Sequence, residues 1–322
     1  MPNEWDRRVL DVVIHTTGAV QGVPWALVES QPPVSDRIEL GNGVWVGKIG
    51  SELAQKTMDA CDPPGFVHHP PTRQYGELYS YVRERIMPLS ESFGWDEDQR
   101  VQTCVALSRL VHPTTLSLEY SARIVLRLDG GVDEIIPGPV MGFGSQVWLP
   151  TTNNYRNWLT EKDTVDLRKL LGIYPTLQGL PKRVGRALWY FQYAMQTYYL
   201  DVRWTLVCIA LEALVHTGNR DSTLHFKRRI PQLAREFGIT LTEDDAKRAY
   251  NERSSLAHGQ GLLTPIAKTD SADNSIMETG PDTNLYPEIE NILRTAVLVA
   301  LQDREFQEIF CEDTKISARW PT

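Results

Sequence analysis

From about residue 163 the apolar residues of this chain recur at three-and-four spacing, a period that commits the second half to helices. Asp163 or Thr164 can cap a first short helix that stops near Gly172, and Pro181 suits the opening residue of a longer one. Val184, Ala187, Leu188, Phe191, Ala194, Met195 and Tyr198 form the apolar face of that helix. The next, over about 202–216, repeats the pattern with Trp204, Val207, Cys208, Leu211, Leu214 and Val215 before Gly218. A third is predicted from Asp221-Ser222-Thr223 to Gly238. A fourth opens at Thr242, with Asp245 completing a capping box, and ends near His258 ahead of Gly259 and Gly261. Residues 262–284 are polar and patternless; a last helix starts at Tyr286-Pro287 and carries Ile289, Ile292, Leu293, Ala296, Val297 and Ala300. Five amphipathic helices, most of them joined by short connections, predict an antiparallel bundle.

The first half obeys another rule. Leu10–Ile14, Ile38–Leu40, Val44–Val46 and Leu118–Leu128 read as strands, with Asn42-Gly43 as a hairpin turn. Helices are expected at about 74–90 and 97–111, and Pro/Gly-rich loops at Cys61–Thr72 and Pro137–Gly144. A chain of 322 residues is long enough for two cores. The expected class is therefore α+β: a mixed domain over 1–160 that could sense or regulate, a connecting helix and linker over 161–180, and a helical bundle over 181–322.

Charge restricts the partners. The formal net charge is −8, so a contact with nucleic acid requires a local basic patch. Residues 181–264 hold 12 Lys/Arg against 8 Asp/Glu, which makes the helical half the better place for an anion. Cys61, Cys104, Cys208 and Cys311 form no C-x2-C pair, which speaks against a zinc site or a disulfide framework. The charged N-terminus lacks a signal-peptide core, and the best apolar run, Thr205–Val215, contains Glu212 and is too short to span a bilayer. The expectation is a reduced cytoplasmic protein with no membrane partner.

Chemistry concentrates at the end of the fourth helix, in Tyr250-Asn-Glu-Arg253-Ser-Ser-Leu-Ala-His258-Gly259. Five residues turn a helix by about 140°, so Arg253 and His258 share a face only where the helix loosens, as Gly259 suggests. His258 would sit where the helix dipole favours its protonated form, which suits a proton shuttle. Arg253 offers a permanently charged fork that matches a phosphate. The bland alternative for both is a pair of cations satisfying the last carbonyls of a helix.

Together with Ala210-Leu-Glu212-Ala-Leu214 and Leu224-His-Phe-Lys227-Arg228-Arg229, this segment resembles the Apea-like branch of the HEPN superfamily over roughly residues 180–310. The resemblance implies a metal-independent endoribonuclease, a hydrolase used in antiviral defence or stress responses, with Arg253 and His258 as the catalytic pair. It further implies RNA as substrate, no cofactor, and a homodimer through the helical domain with two such pairs in one cleft. Glu212, Ser254 and Tyr250 would support the site, Lys227, Arg228 and Arg229 would receive RNA phosphates, and a regulatory protein partner could set the trigger. Ser254 departs from the pattern, since catalytic members commonly carry Asn, Asp or His after the arginine. The alternative within the same resemblance is a non-catalytic dimerisation module that binds RNA or a nucleotide. An ion pair fixing helix packing is an equal reading of Glu212, and a solvated face is the commoner reading of the Lys227–Arg229 run.

Other features carry less. His68-His69 with Cys61 lacks metal-ligand spacing, and Gly142-Phe-Gly144-Ser145 lacks the ending of a phosphate loop. Tyr190, Tyr193, Tyr198 and Tyr199 could stack bases, although aromatic stripes on helices are usually packing. An enzyme of the first domain has no motif behind it.

Overall fold

The computed structural model describes residues 6–16, 38–41, 44–48, 51–61, 78–88, 107–111, 118–127, 131–137, 161–173, 179–196, 200–218, 221–258 and 285–322. The features at His68-His69, Cys104, Gly142–Ser145, Tyr198, Tyr199 and Arg220 lie outside these residues, as do the turn Asn42-Gly43 and the stretch 262–284. The protein is mixed α and β, and its contacts divide it into two units, one of residues 1–148 and 153–172, the other of 149–152 and 173–322.

The first unit is built on a six-stranded antiparallel sheet in the order β2-β3-β4-β1-β5-β6. The strands are β1 (Asp6–Thr16), β2 (Ile38–Gly41), β3 (Val44–Lys48), β4 (Leu78–Pro88), β5 (Leu118–Leu126) and β6 (Val132–Pro137). β1 is central: Val12 pairs with Val82 on one side and Ala122 on the other. Gly41, with φ of 98°, ends β2 in a conformation that only glycine adopts easily. Residues 78–88 correct an expectation, for they form a strand where a helix over 74–90 was predicted. Residues 107–111 are helical, as expected for part of 97–111. β6 was not foreseen; it lies at the sheet edge, where Pro137 can close a strand without breaking a ladder.

Val9, Leu40, Val44, Val46, Ala122, Ile124 and Val125 are buried in this unit. Successive residues of β5 from Ala122 to Leu126 are all buried, so both faces of the sheet are covered there. α1 (Ser51–Cys61) packs on β5 and β6. α2 (Glu161–Ile173) buries Leu167, Leu170 and Leu171 and belongs to this unit; Arg168 Nε donates to the Glu39 carbonyl at 3.0 Å.

The second unit is helical: α3 (Lys182–Gln196), α4 (Leu200–Val215), α5 (Ser222–Glu236), α6 (Glu243–Ala257), α7 (Tyr286–Gln302), α8 (Arg304–Ile309) and α9 (Asp313–Arg319). α4 is apolar around most of its circumference because it packs against α3, α5, α6 and α7 at once. Trp204, fully buried, donates its indole N–H to the Ala249 carbonyl at 3.2 Å and packs against Tyr286 with ring centroids 5.6 Å apart. Arg203 and Glu290, both buried, face each other at 3.9 Å across α4 and α7. Each fully buried Leu, Phe or Ile contributes about 1.5–3 kcal/mol, and these helices carry most of the unit's stability in that form.

α8 and α9 were not legible in the sequence. Asp303 caps α8 by accepting from the Glu305 and Phe306 amides at 2.8 and 3.2 Å. Phe306, Phe310 and Trp320 then cluster, Phe306 meets Phe237, and Arg319 grips Glu236 through Nε and Nη2 at 2.8 and 2.6 Å. No helix among the described residues is long and apolar enough to cross a membrane.

Candidate active site at the end of a bundle helix

α6 is fixed first at its start. Thr242 Oγ1 accepts from the Asp245 amide at 3.1 Å, Asp245 Oδ2 accepts from the Thr242 amide at 3.3 Å, and three acidic residues occupy the positive first turn. Its inward stripe is Ala246 and Ala249, whose small side chains let the helix lie close to α4. Arg253 follows Ala249 by four residues, so the same stripe carries the guanidinium toward α4.

There Arg253 Nη2 donates to Glu212 Oε2 at 3.0 Å, with the two side chains 22% and 18% exposed. The Tyr250 ring, one turn earlier, lies under the guanidinium at 5.5 Å and rests on buried Phe226 with centroids 5.4 Å apart. Arg253 Nε is enclosed and has no acceptor among the described residues. The charge is thus held by a carboxylate at one corner and an aromatic face below, a geometry that fixes its position.

His258 is the C-cap of α6, with φ −93° and ψ 7°, and its amide donates to the Ser254 carbonyl at 3.1 Å. Its side chain is exposed, and among the described residues no hydrogen bond or ion pair joins it to Arg253. Ser254 is half-buried between them. The chain therefore places Arg253, Glu212 and Tyr250 in one contact set and leaves His258 at its solvent edge.

The run Lys227-Arg228-Arg229 does not form one rim. Successive helical residues diverge by about 100°, and the three side chains meet different fates. Lys227 lies 3.7 Å from Glu243 and Arg228 is exposed. Arg229 is buried: its Nη1 donates to the Val215 carbonyl at 2.7 Å and to Thr217 Oγ1 at 2.9 Å, and its Nη2 to Ser317 at 3.1 Å. The expected phosphate contact of Arg229 is replaced by a structural one, the capping of the carbonyl end of α4.

Arg183 does the same from α3, donating to the Ala213 carbonyl at 3.1 Å and to that of His216, while it pairs with Asp313. The Gly218 amide, first among the causes, and Arg183 hold the Asp313 carboxyl below its usual range. Beside this clamp His216 and His225 face each other through Nδ1 atoms 3.0 Å apart. Burial, then Arg229 and His216, lowers the pKa of His225. Cys208, also in α4, is buried with its thiol pKa pushed up by desolvation, so it is no nucleophile.

Glu212 also opens onto a surface pocket of about 410 Å³, lined by Lys182, Arg186, Tyr190 and His216 among others, a volume that admits a nucleotide-sized group. Nothing in the sequence singled out Lys182 or Arg186, because isolated cations on a helix are common; only the fold sets them beside Glu212. Among the described residues no group of three or more His, Cys, Asp or Glu side chains is placed to hold a metal ion. No family model matches the chain, and no curated protein or solved structure shows significant similarity to it.

Proposed function

We propose that the helical unit is a HEPN-type, metal-independent endoribonuclease acting through Arg253 and His258. The observation that supports this reading is the guanidinium of Arg253, fixed at 3.0 Å from Glu212 over the Tyr250 ring, one turn before an exposed histidine at the end of the same helix. His258 takes the proton of an RNA 2′-hydroxyl. The 2′-oxygen attacks the adjacent phosphorus, and the bond to the 5′-oxygen breaks. Arg253 uses N–H donors not engaged by Glu212 to stabilise the five-coordinate phosphorus. The departing 5′-oxygen takes a proton from a second His258, supplied by a two-fold dimer with both sites in one cleft. The products are a 2′,3′-cyclic phosphate and a free 5′-hydroxyl, and DNA is spared because it lacks the attacking group.

A second reading, RNA or nucleotide binding without cleavage, draws support from the same ion pair, because Glu212 neutralises much of the charge that Arg253 offers a phosphate. One experiment separates the two. The native chain with RNA and excess chelator should give cyclic-phosphate ends. His258→Ala should abolish cleavage with little loss of RNA affinity, and Arg253→Ala should weaken both. Cleavage that survives His258→Ala overturns the active site; RNA binding with no cleavage by the native chain favours the second reading.

A further inference from the structure

The outward face of α3 is unlike the rest of the helical unit. Lys182, Arg186, Trp189 and Tyr193 follow one another at spacings of four, three and four, which lines them along one stripe of roughly 16 Å. Elsewhere the large aromatics are inside: Trp204, Trp320, Phe191 and Phe226 are fully buried. Trp189 and Tyr193 are 54% and 48% exposed, so the fold leaves two rings in water at one place. They are ordered against each other, with centroids 4.5 Å apart, and Tyr190 extends the group at 5.2 Å from Trp189. At the other end of the stripe Lys182 and Arg186 are exposed and pair with no carboxylate among the described residues. α3 carries three cations and no acidic residue, within a chain of net charge −8.

We infer that this stripe is a binding surface for single-stranded RNA, with bases stacked on Trp189 and Tyr193 and phosphates held by Lys182 and Arg186. The inference rests on the ribonuclease reading for the choice of RNA and deepens it by naming the strandedness and path of the substrate. Exposed aromatics next to unpaired cations match the two faces of an unstacked strand, one π and one anionic. A duplex offers only the anionic face, because its bases are paired and stacked. A second copy of the chain fits less well, since a two-fold contact through this face would set Lys182 and Arg186 against their own kind. The path also leads somewhere: Arg186 and Tyr190 line the pocket that Glu212 closes, and Glu212 holds Arg253.

The test uses the full-length chain carrying His258→Ala, so that the RNA stays intact, and follows the anisotropy of a labelled single-stranded oligoribonucleotide over a salt series. Joint replacement Trp189→Ala and Tyr193→Ala should weaken binding by about tenfold or more, whereas Trp189→Phe should keep most of the affinity. Lys182→Gln with Arg186→Gln should lower the slope of log affinity against log salt by about one. Pairing the same RNA with its complement should weaken binding and abolish the effect of the aromatic variant. Because all four side chains are exposed, melting temperature serves as the control for folding. Unchanged affinity in the aromatic double variant overturns the stripe and leaves the ribonuclease reading to the cleavage assay. If the native chain binds no single-stranded RNA, both fall. If the double variant converts a dimer to a monomer in sedimentation while RNA affinity stays the same, the face is a contact between copies and the inference is wrong.

Discussion

At the residue scale the pair Arg253–Glu212 settles what each partner costs the other. Both are mostly enclosed, and Arg253 Nε already lacks an acceptor, so Glu212→Ala leaves a cation with little compensation. The expected loss is about 1.5–3 kcal/mol in a urea melt, with Glu212→Gln intermediate because an amide oxygen still accepts from Nη2. If Glu212 positions Arg253, cleavage by Glu212→Gln falls in kcat more than in KM; equal stability of native and Ala variants would show the pair to be incidental. The histidine pair makes a different prediction. His225 Nδ1 accepts from the Thr217 amide at 3.4 Å and faces His216 Nδ1, which requires it to be unprotonated. Its lowered pKa means that the unfolded chain binds a proton more readily, so its contribution is complete above the ordinary imidazole value and is lost as pH falls through about 6.5. Arg229 and His216 add to this effect, Asp221 and Asp313 oppose it, and the carboxylate of Asp313 stays ionised throughout that window. Melting temperature should therefore decline between about pH 7.5 and pH 5.5, and His225→Gln should flatten the decline. A profile with the same slope in both chains would remove His225 as its cause.

At the element scale α6 matters most, because it sets the register that brings Arg253 over Tyr250. Thr242→Ala deletes one half of the capping box and should cost about 1 kcal/mol, with Thr242→Ser close to native. Hydrogen exchange would place the change in the first turn of α6; exchange unaltered there would mean that packing of Ala246 and Ala249 alone fixes the helix. That box was visible in the sequence because caps are local, written in four adjacent residues. So were the starts and stops of α3 to α7 and the strands β1, β2, β3 and β5. The mistake at 78–88 has a physical reason: Leu78, Val82 and Ile86 are four apart, and four is close to a helical turn and also a multiple of the strand repeat. Only the partners of β4, namely β1 and β3, decide between the two, and they lie far away in the sequence. The site divides in the same way. Arg253 and His258 were readable from a spacing, and Glu212 from a carboxylate in an apolar helix face. That Arg229 turns inward was not, because its acceptors on Val215, Thr217 and Ser317 come together only in the folded unit.

At the scale of the whole molecule, the boundary of the helical unit lies farther along the chain than the resembling segment, which closes near residue 310. The last turns act on residues more than eighty positions earlier. Asp313 holds Arg183 and the Gly218 amide, Ser317 accepts from Arg229, Arg319 and Trp320 both bind Glu236, and the Pro321 carbonyl accepts from Gln232. Both arginines that cap α4 therefore depend on α9. Trp320 is 1% exposed against Phe306 and Phe310, and truncating such a ring costs about 3–5 kcal/mol, a large part of the stability of a single domain. A fragment of residues 179–322 should consequently be soluble and unfold cooperatively in urea. The same fragment ended at residue 311 should lose helical circular dichroism at much lower urea or fail to fold, and Trp320→Ala in the longer fragment should fall between them. Equal urea midpoints for the two fragments would show that α9 merely rests on the bundle, and the clamp of Arg183, Arg229 and Asp313 would then have no part in holding α4, the helix that presents Glu212 to Arg253.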